Sequence, residues 1–181
     1  MALDGCAASP GVVFPGVVFH TESLEETWRL AAALAAELEP GCFVGLDGDL
    51  GAGKTTFVQG LCRVLEVVEP VASPTFVLLR VYRGHLTVYH FDAYRLESAA
   101  DLDDLGADEY FWGDGVSLVE WAERVVEALP PDRLDLRIEV SGEDSRRLAF
   151  VARGPRHGAL LDRLQRRLAG SSVIPESEVA W

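Results

Sequence analysis

The chain has 181 residues, with 16 Lys plus Arg against 29 Asp plus Glu for a net charge of −13, and 49% of its residues are hydrophobic. This is the profile of one globular domain that can bury a core without a disulfide or metal staple. Its three cysteines, Cys6, Cys42 and Cys62, contain no CxxC pair, which argues against zinc and a secreted disulfide scaffold and suits reduced thiols in a cytoplasmic protein.

Residues 1–20 are a Pro/Gly-containing N-terminal extension without the basic start and apolar run of an export signal. Ser23 and Glu26 form a capping box, and Leu24, Trp28, Leu30, Ala31, Leu34, Ala35 and Leu38 recur with helical spacing, so a helix is predicted over 24–38. It is too short and too charged to span a bilayer. Pro40 and Gly41 end it, and 42–46 read as a buried strand. A Gly-rich turn and an apolar-periodic helix over 55–65 follow, giving strand, loop, helix. Pro70 and Pro74 frame a loop, and the β-rich runs 76–82 and 86–92 flank Arg83-Gly84-His85 as a hairpin. A short helix and loop are expected within 97–115, a buried strand at 116–120, and a helix from there to Leu129, ended by Pro130 and Pro131. Runs 134–140 and 148–153 form a second hairpin, 158–169 a last helix, and 171–181 a flexible tail. The domain itself is expected to span 21–170.

Charge is uneven: residues 92–127 hold 11 acids against Arg95 and Arg124. Such a surface repels phosphate backbones, so DNA is not an expected ligand and RNA would be reached only through a partner. The arginines beyond residue 132 read as solvated side chains of a hairpin and helix, or as a docking face. The chain has no Asn, and its basic residues are 15 Arg and one Lys, Lys54.

Lys54 lies in Gly48-Asp49-Leu50-Gly51-Ala52-Gly53-Lys54-Thr55, a G-x-x-x-x-G-K-[ST] phosphate loop between a predicted strand and a predicted helix. The glycines let successive N–H groups point inward, and the helix N-terminus adds partial positive charge toward the same anion. Lys54 supplies a compact cation for the β- and γ-phosphates, and Thr55 a hydroxyl for Mg²⁺. With the one lysine already used, an N/T-K-x-D guanine reader is absent, so ATP is the expected nucleotide. Two strand-end acids take the remaining roles. Glu120 is assigned to the metal and Asp92 to orienting or deprotonating the attacking water, and the roles can be exchanged. His90 shares a strand face with Asp92 and is either a packed or a catalytic histidine; Trp121 either covers the nucleotide or fills core.

Together, G-D-L-G-A-G-K-T-T-F at 48–57, V-A-S-P-T-F at 71–76, H-F-D-A-Y-R-L at 90–96 and V-E-W at 119–121 resemble the TsaE (YjeE) family, small bacterial ATPases of tRNA threonylcarbamoyladenosine synthesis. The resemblance covers about 22–140, with Ala122 where the family often has Pro. It implies an α/β, P-loop NTPase-like three-layer domain with a central mixed sheet, β-hairpins and helices on both faces. It also implies an ATP hydrolase that is weak alone and engaged with TsaD and TsaB, supporting modification of ANN-decoding tRNAs. Carried over, Lys54, Asp92 and Glu120 are catalytic; Thr55 and Glu120 hold Mg²⁺; and Gly48 to Thr55, Thr56, Ser73, Thr75 and Trp121 bind ATP, with Ser73 to Thr75 a switch-like loop that Pro74 shapes in advance. The rival readings are a small P-loop kinase and a nucleotide-gated binding module.

Overall fold

The computed structural model describes residues 15–171 and the backbone of a strand at 175–179. The elements are β1 (Gly16–Thr21), α1 (Leu24–Ala35), β2 (Phe43–Asp47), α2 (Lys54–Val64), β3 (Leu79–Tyr82), β4 (Val88–Asp92), α3 (Ala100–Asp104), α4 (Ala107–Phe111), β5 (Val116–Glu120), a 3₁₀ helix (Ala122–Ala128), β6 (Leu134–Val140), β7 (Arg146–Ala152), α5 (Pro155–Leu168) and β8 (Pro175–Val179). They form one eight-stranded sheet ordered β3-β4-β5-β2-β6-β7-β1-β8. β4, β5, β2 and β6 run parallel, and the outer pairings β3–β4, β6–β7, β7–β1 and β1–β8 are antiparallel. This is the mixed α/β sheet expected from the sequence.

The central strands are continuous apolar runs because both their faces are covered. On one face, α1, α2 and α5 enclose Phe19, Leu30, Leu34, Phe57, Leu61, Phe150 and Leu164. On the other, α3, α4 and the 3₁₀ helix enclose Phe43, Phe91, Leu102, Phe111 and Val119. Ser23 caps α1 by accepting from the Glu26 N–H at 3.2 Å, while the Glu26 carboxylate reaches back to the Glu22 N–H at 2.9 Å. α1 and α2 meet at Gly60, where a Cβ would lie 2.8 Å from the Ala31 Cβ and 2.9 Å from the Trp28 ring; only a missing side chain allows that approach. Cys42 and Cys62 are buried free thiols, and burial pushes Cys62 up to about 12. Cys6 lies outside the described residues. No helix among the described residues is long and apolar enough to cross a membrane.

Several boundaries differ from the sequence reading. The run 76–82 is a strand only from Leu79: Val77 and Leu78 donate to the Pro74 carbonyl in a turn, and Leu78 sits at φ 66°. The helix expected between Glu120 and Leu129 is a 3₁₀ helix, because Trp121 stands in the left-handed region and Val125 leaves helical geometry at φ −130°. The last helix opens three residues early, at Pro155, which suits a first helical position. β1 starts inside the segment read as an extension. Within the expected flexible tail, 175–179 is a strand paired with β1, whose outer edge needs a ladder partner.

Candidate active site

The site sits where β2, β4 and β5 end. The phosphate loop leaves β2 at Gly48, whose φ of 139° and approach to β6 exclude any side chain: a Cβ there would lie 2.2 Å from the Ile138 carbonyl oxygen. Gly51 and Gly53 also have positive φ, 81° and 111°, so the loop turns its backbone inward before α2 begins at Lys54. The Ala52 N–H closes the turn on the Asp49 carbonyl at 3.1 Å, and Arg146 of β7 donates to the Ala52 carbonyl at 2.8 Å, fixing the loop from outside. No sequence signal pointed to Arg146, because the contact spans 94 residues.

Lys54 is buried, and its ammonium donates to the Gly48 and Asp49 carbonyls at 2.6 and 2.9 Å. The ammonium also lies 3.6 Å from the centre of the Trp121 ring, which packs against the Tyr94 ring at 5.1 Å with a tilt of 49°. Burial lowers the Lys54 pKa, and the Glu120 and Asp92 carboxylates partly offset this. Trp121 lines the cleft, packs partly against the core, and its indole is the third partner of the loop lysine.

Asp92 and Glu120 are register partners at the ends of parallel β4 and β5, and both are buried. Glu120 Oε1 accepts from the Thr55 hydroxyl at 2.8 Å and from His90 Nε2 at 2.9 Å. Asp92 belongs to a separate network. Its Oδ2 faces the Ser73 and Thr75 hydroxyls at 2.7 and 2.5 Å, those hydroxyls lie 2.7 Å apart, and its Oδ1 accepts the Tyr94 N–H at 2.9 Å. Two hydroxyl hydrogens serve three oxygen–oxygen contacts, so the cluster is one donor short. The chain leading into Ser73 is anchored by Gln59 on the Val71 carbonyl and by the Tyr82 hydroxyl, which bonds both the N–H and the carbonyl of Ala72.

These groups open into one cleft of about 370 Å³ lined by Leu50, Gly51, Gly53, Lys54, Thr55, Thr56, Ser73, Thr75, Asp92, Tyr94, Glu120 and Trp121. Gly48 and Asp49 do not line it but hold Lys54 through their carbonyls, Ala52 faces a neighbouring pocket beside Arg146, and His90 reaches it only through Glu120. Tyr94, in the turn after β4, joins the lining. The donor set suits a phosphate-bound Mg²⁺: hard oxygen donors from Thr55 and Glu120 face the cleft, while among the described residues no cluster of three or more His, Cys, Asp or Glu could cage a metal alone.

Residues 21–148 match the model of the family described as threonylcarbamoyl adenosine biosynthesis protein TsaE. The chain is 45% identical to the tRNA threonylcarbamoyladenosine biosynthesis protein TsaE of Bacillus subtilis (strain 168) over 149 residues, 82% of this chain and 93% of the relative. It is 43% identical to the protein of the same name from Treponema pallidum (strain Nichols) over 131 residues, 72% and 97% of the two chains. The crystal structure of Bacillus subtilis YdiB superposes with a TM-score of 0.75 at 40% identity, covering 86% of this chain and 97% of that one. With four motifs in order, one cleft gathering them and these likenesses, the chain belongs to the TsaE family.

Proposed function

We propose that the chain is the Mg²⁺-dependent ATPase component of tRNA threonylcarbamoyladenosine synthesis in the cytoplasm, acting with TsaD and TsaB homologues and touching tRNA only through them. The role in that synthesis follows from family membership. The observation that carries the ATPase reading is the convergence of Lys54, Thr55, Asp92 and Glu120, from three separate stretches of chain, on one cleft above the phosphate loop.

The inward amides of 48–55 and the α2 N-terminus bind the phosphates of ATP. Lys54 exchanges two loop carbonyls for phosphate oxygens. Thr55 and Glu120 would hold Mg²⁺, which when bound would supply positive charge to offset the negative charge of the phosphates. Asp92 orients the attacking water through Oδ2 and takes its proton there. For Oδ2 to accept that proton, a hydroxyl of the 73–75 loop must turn aside, so turnover in isolation is expected to be weak. A partner has a surface to act on: Leu50, Phe76 and Tyr94 are 84%, 87% and 46% exposed around the cleft and its loop. A kinase would need free arginines for a lid. Of the arginines clustered beyond residue 132, Arg133 and Arg153 instead hold Asp135, and Arg163 and Arg167 hold Glu37.

Phosphate release without an added acceptor, measured with and without TsaD and TsaB, tests the reading. Release should rise with the partners, vanish in Asp92→Ala with ATP binding retained, and be lost together with binding in Lys54→Ala. Wild-type release in both Lys54→Ala and Glu120→Ala would overturn it.

A further inference from the structure

We propose that His90 is a positioning residue: its Nε2–H pins the Glu120 carboxylate in the orientation from which that group would take a divalent cation. This rests on the Mg²⁺–nucleotide reading above.

His90 is fully buried in β4, two residues before Asp92 on the same strand face. Its Nε2 lies 2.9 Å from Glu120 Oε1, the oxygen that also accepts the Thr55 hydroxyl. A carboxylate only accepts, so the hydrogen in this contact is on Nε2. The other ring nitrogen, Nδ1, is buried and has no hydrogen-bond partner. A histidine retained for local bonding looks different, and the chain provides one for comparison. Buried His157 uses both nitrogens, Nδ1 on Asp132 at 2.7 Å and Nε2 accepting the Phe43 N–H at 3.1 Å. His90 leaves one nitrogen orphaned at a desolvation cost and spends the other on the acid at the metal side of the cleft. Without it, Thr55 alone would locate Oε1, and that hydroxyl is itself a candidate ligand. Outer partners of this kind fix the orientation of metal-binding groups.

The test compares wild type with His90→Phe, which keeps a ring and loses the donor, His90→Gln, whose amide reaches the Nε2 position, and His90→Asn, whose shorter amide does not. Affinity for a fluorescent ATP analogue is measured in EDTA and along a Mg²⁺ titration, with melting curves to verify folding. His90→Phe and His90→Asn should raise the half-saturating Mg²⁺ by roughly 10- to 100-fold and leave metal-free affinity unchanged, and His90→Gln should recover most of the loss. Separately, long-range ¹H–¹⁵N spectra of nucleotide-free wild type should show the His90 hydrogen on Nε2. Folded His90→Phe or His90→Asn with wild-type Mg²⁺ dependence, equal loss in EDTA and Mg²⁺, or an Nε2 without hydrogen would each overturn the proposal. A wild-type chain that binds no nucleotide under any condition would instead sink the ATPase reading, and this proposal with it.

Discussion

The resting position of one ammonium links the site's chemistry to an optical signal. Lys54 is held by two carbonyls of its own loop and the face of Trp121, and Trp121 keeps its place in the left-handed region at φ 60° because its N–H bonds the Leu46 carbonyl at 2.8 Å. Such a conformation costs a bulky residue about 1–3 kcal/mol, which the surrounding contacts must offset. When a triphosphate draws Lys54 away, the indole loses its cation, whereas Trp28, stacked with Arg63, keeps its own. Addition of ATP should therefore change the intrinsic fluorescence, and Trp121→Phe should abolish most of that change while costing at most about 2 kcal/mol of calorimetric affinity. A full-sized signal in the variant would show that Lys54 does not leave the ring. The sequence singled out Lys54 as the chain's one lysine, but it could not show which aromatic would receive it, since the two residues meet only after β2 and β5 pair.

At the scale of elements, strand ends decide where charge is tolerated. Asp47 closes β2 and accepts the Glu123 N–H at 2.9 Å, yet burial, with Glu123 and Asp135 nearby and Arg137 as partial relief, pushes its pKa from 3.8 to about 6. The folded chain thus binds this proton more tightly than the unfolded chain. The resulting stability is fully present below pH 4 and is lost as pH rises through about 6. At pH 7 the ionised Asp47 costs up to about 3 kcal/mol. Asp47→Asn keeps an acceptor for Glu123 and removes the charge, so melting curves should show a higher Tm for the variant at pH 7 and a gap that closes toward pH 4. A gap independent of pH would contradict this. The elements themselves were mostly legible. Apolar runs located β2 and β5, and helical spacing located α1 and α2, because burial of whole faces imposes those periods. The residues that broke the pattern were Leu78 and Trp121, whose left-handed backbones shorten β3 and tighten the helix after β5. Neither is a glycine, so composition carried no warning.

Across the molecule, the sheet separates chemistry from scaffold. The cleft belongs to the ends of β2, β4 and β5, while β7, β1 and β8 form an antiparallel flank beyond β6. The phosphate loop and paired acids were readable because each sits within a few residues of a local motif. Of the flank only β7, an arm of the second hairpin, was: β1 and β8 lie more than 150 residues apart in the chain, and each is a strand by its pairing with distant partners. Such a division predicts what a shortened chain would do. Ending the chain at Ser171 removes β8 and leaves the outer edge of β1 unpaired, with β7 and β6 still standing between β1 and the strand that carries the phosphate loop. Nucleotide affinity measured by calorimetry should stay close to that of the full chain, because the lost ladder joins β8 to β1, and no residue of β1 lines the cleft. The melting temperature should fall by about 2–4 °C for each kcal/mol the ladder contributed. The bare edge should also make the truncated chain associate with concentration in light scattering, since unpaired strand edges recruit one another. A truncated chain that stays folded and monomeric but no longer binds nucleotide would place β8 within the site's machinery and refute the separation of the two halves.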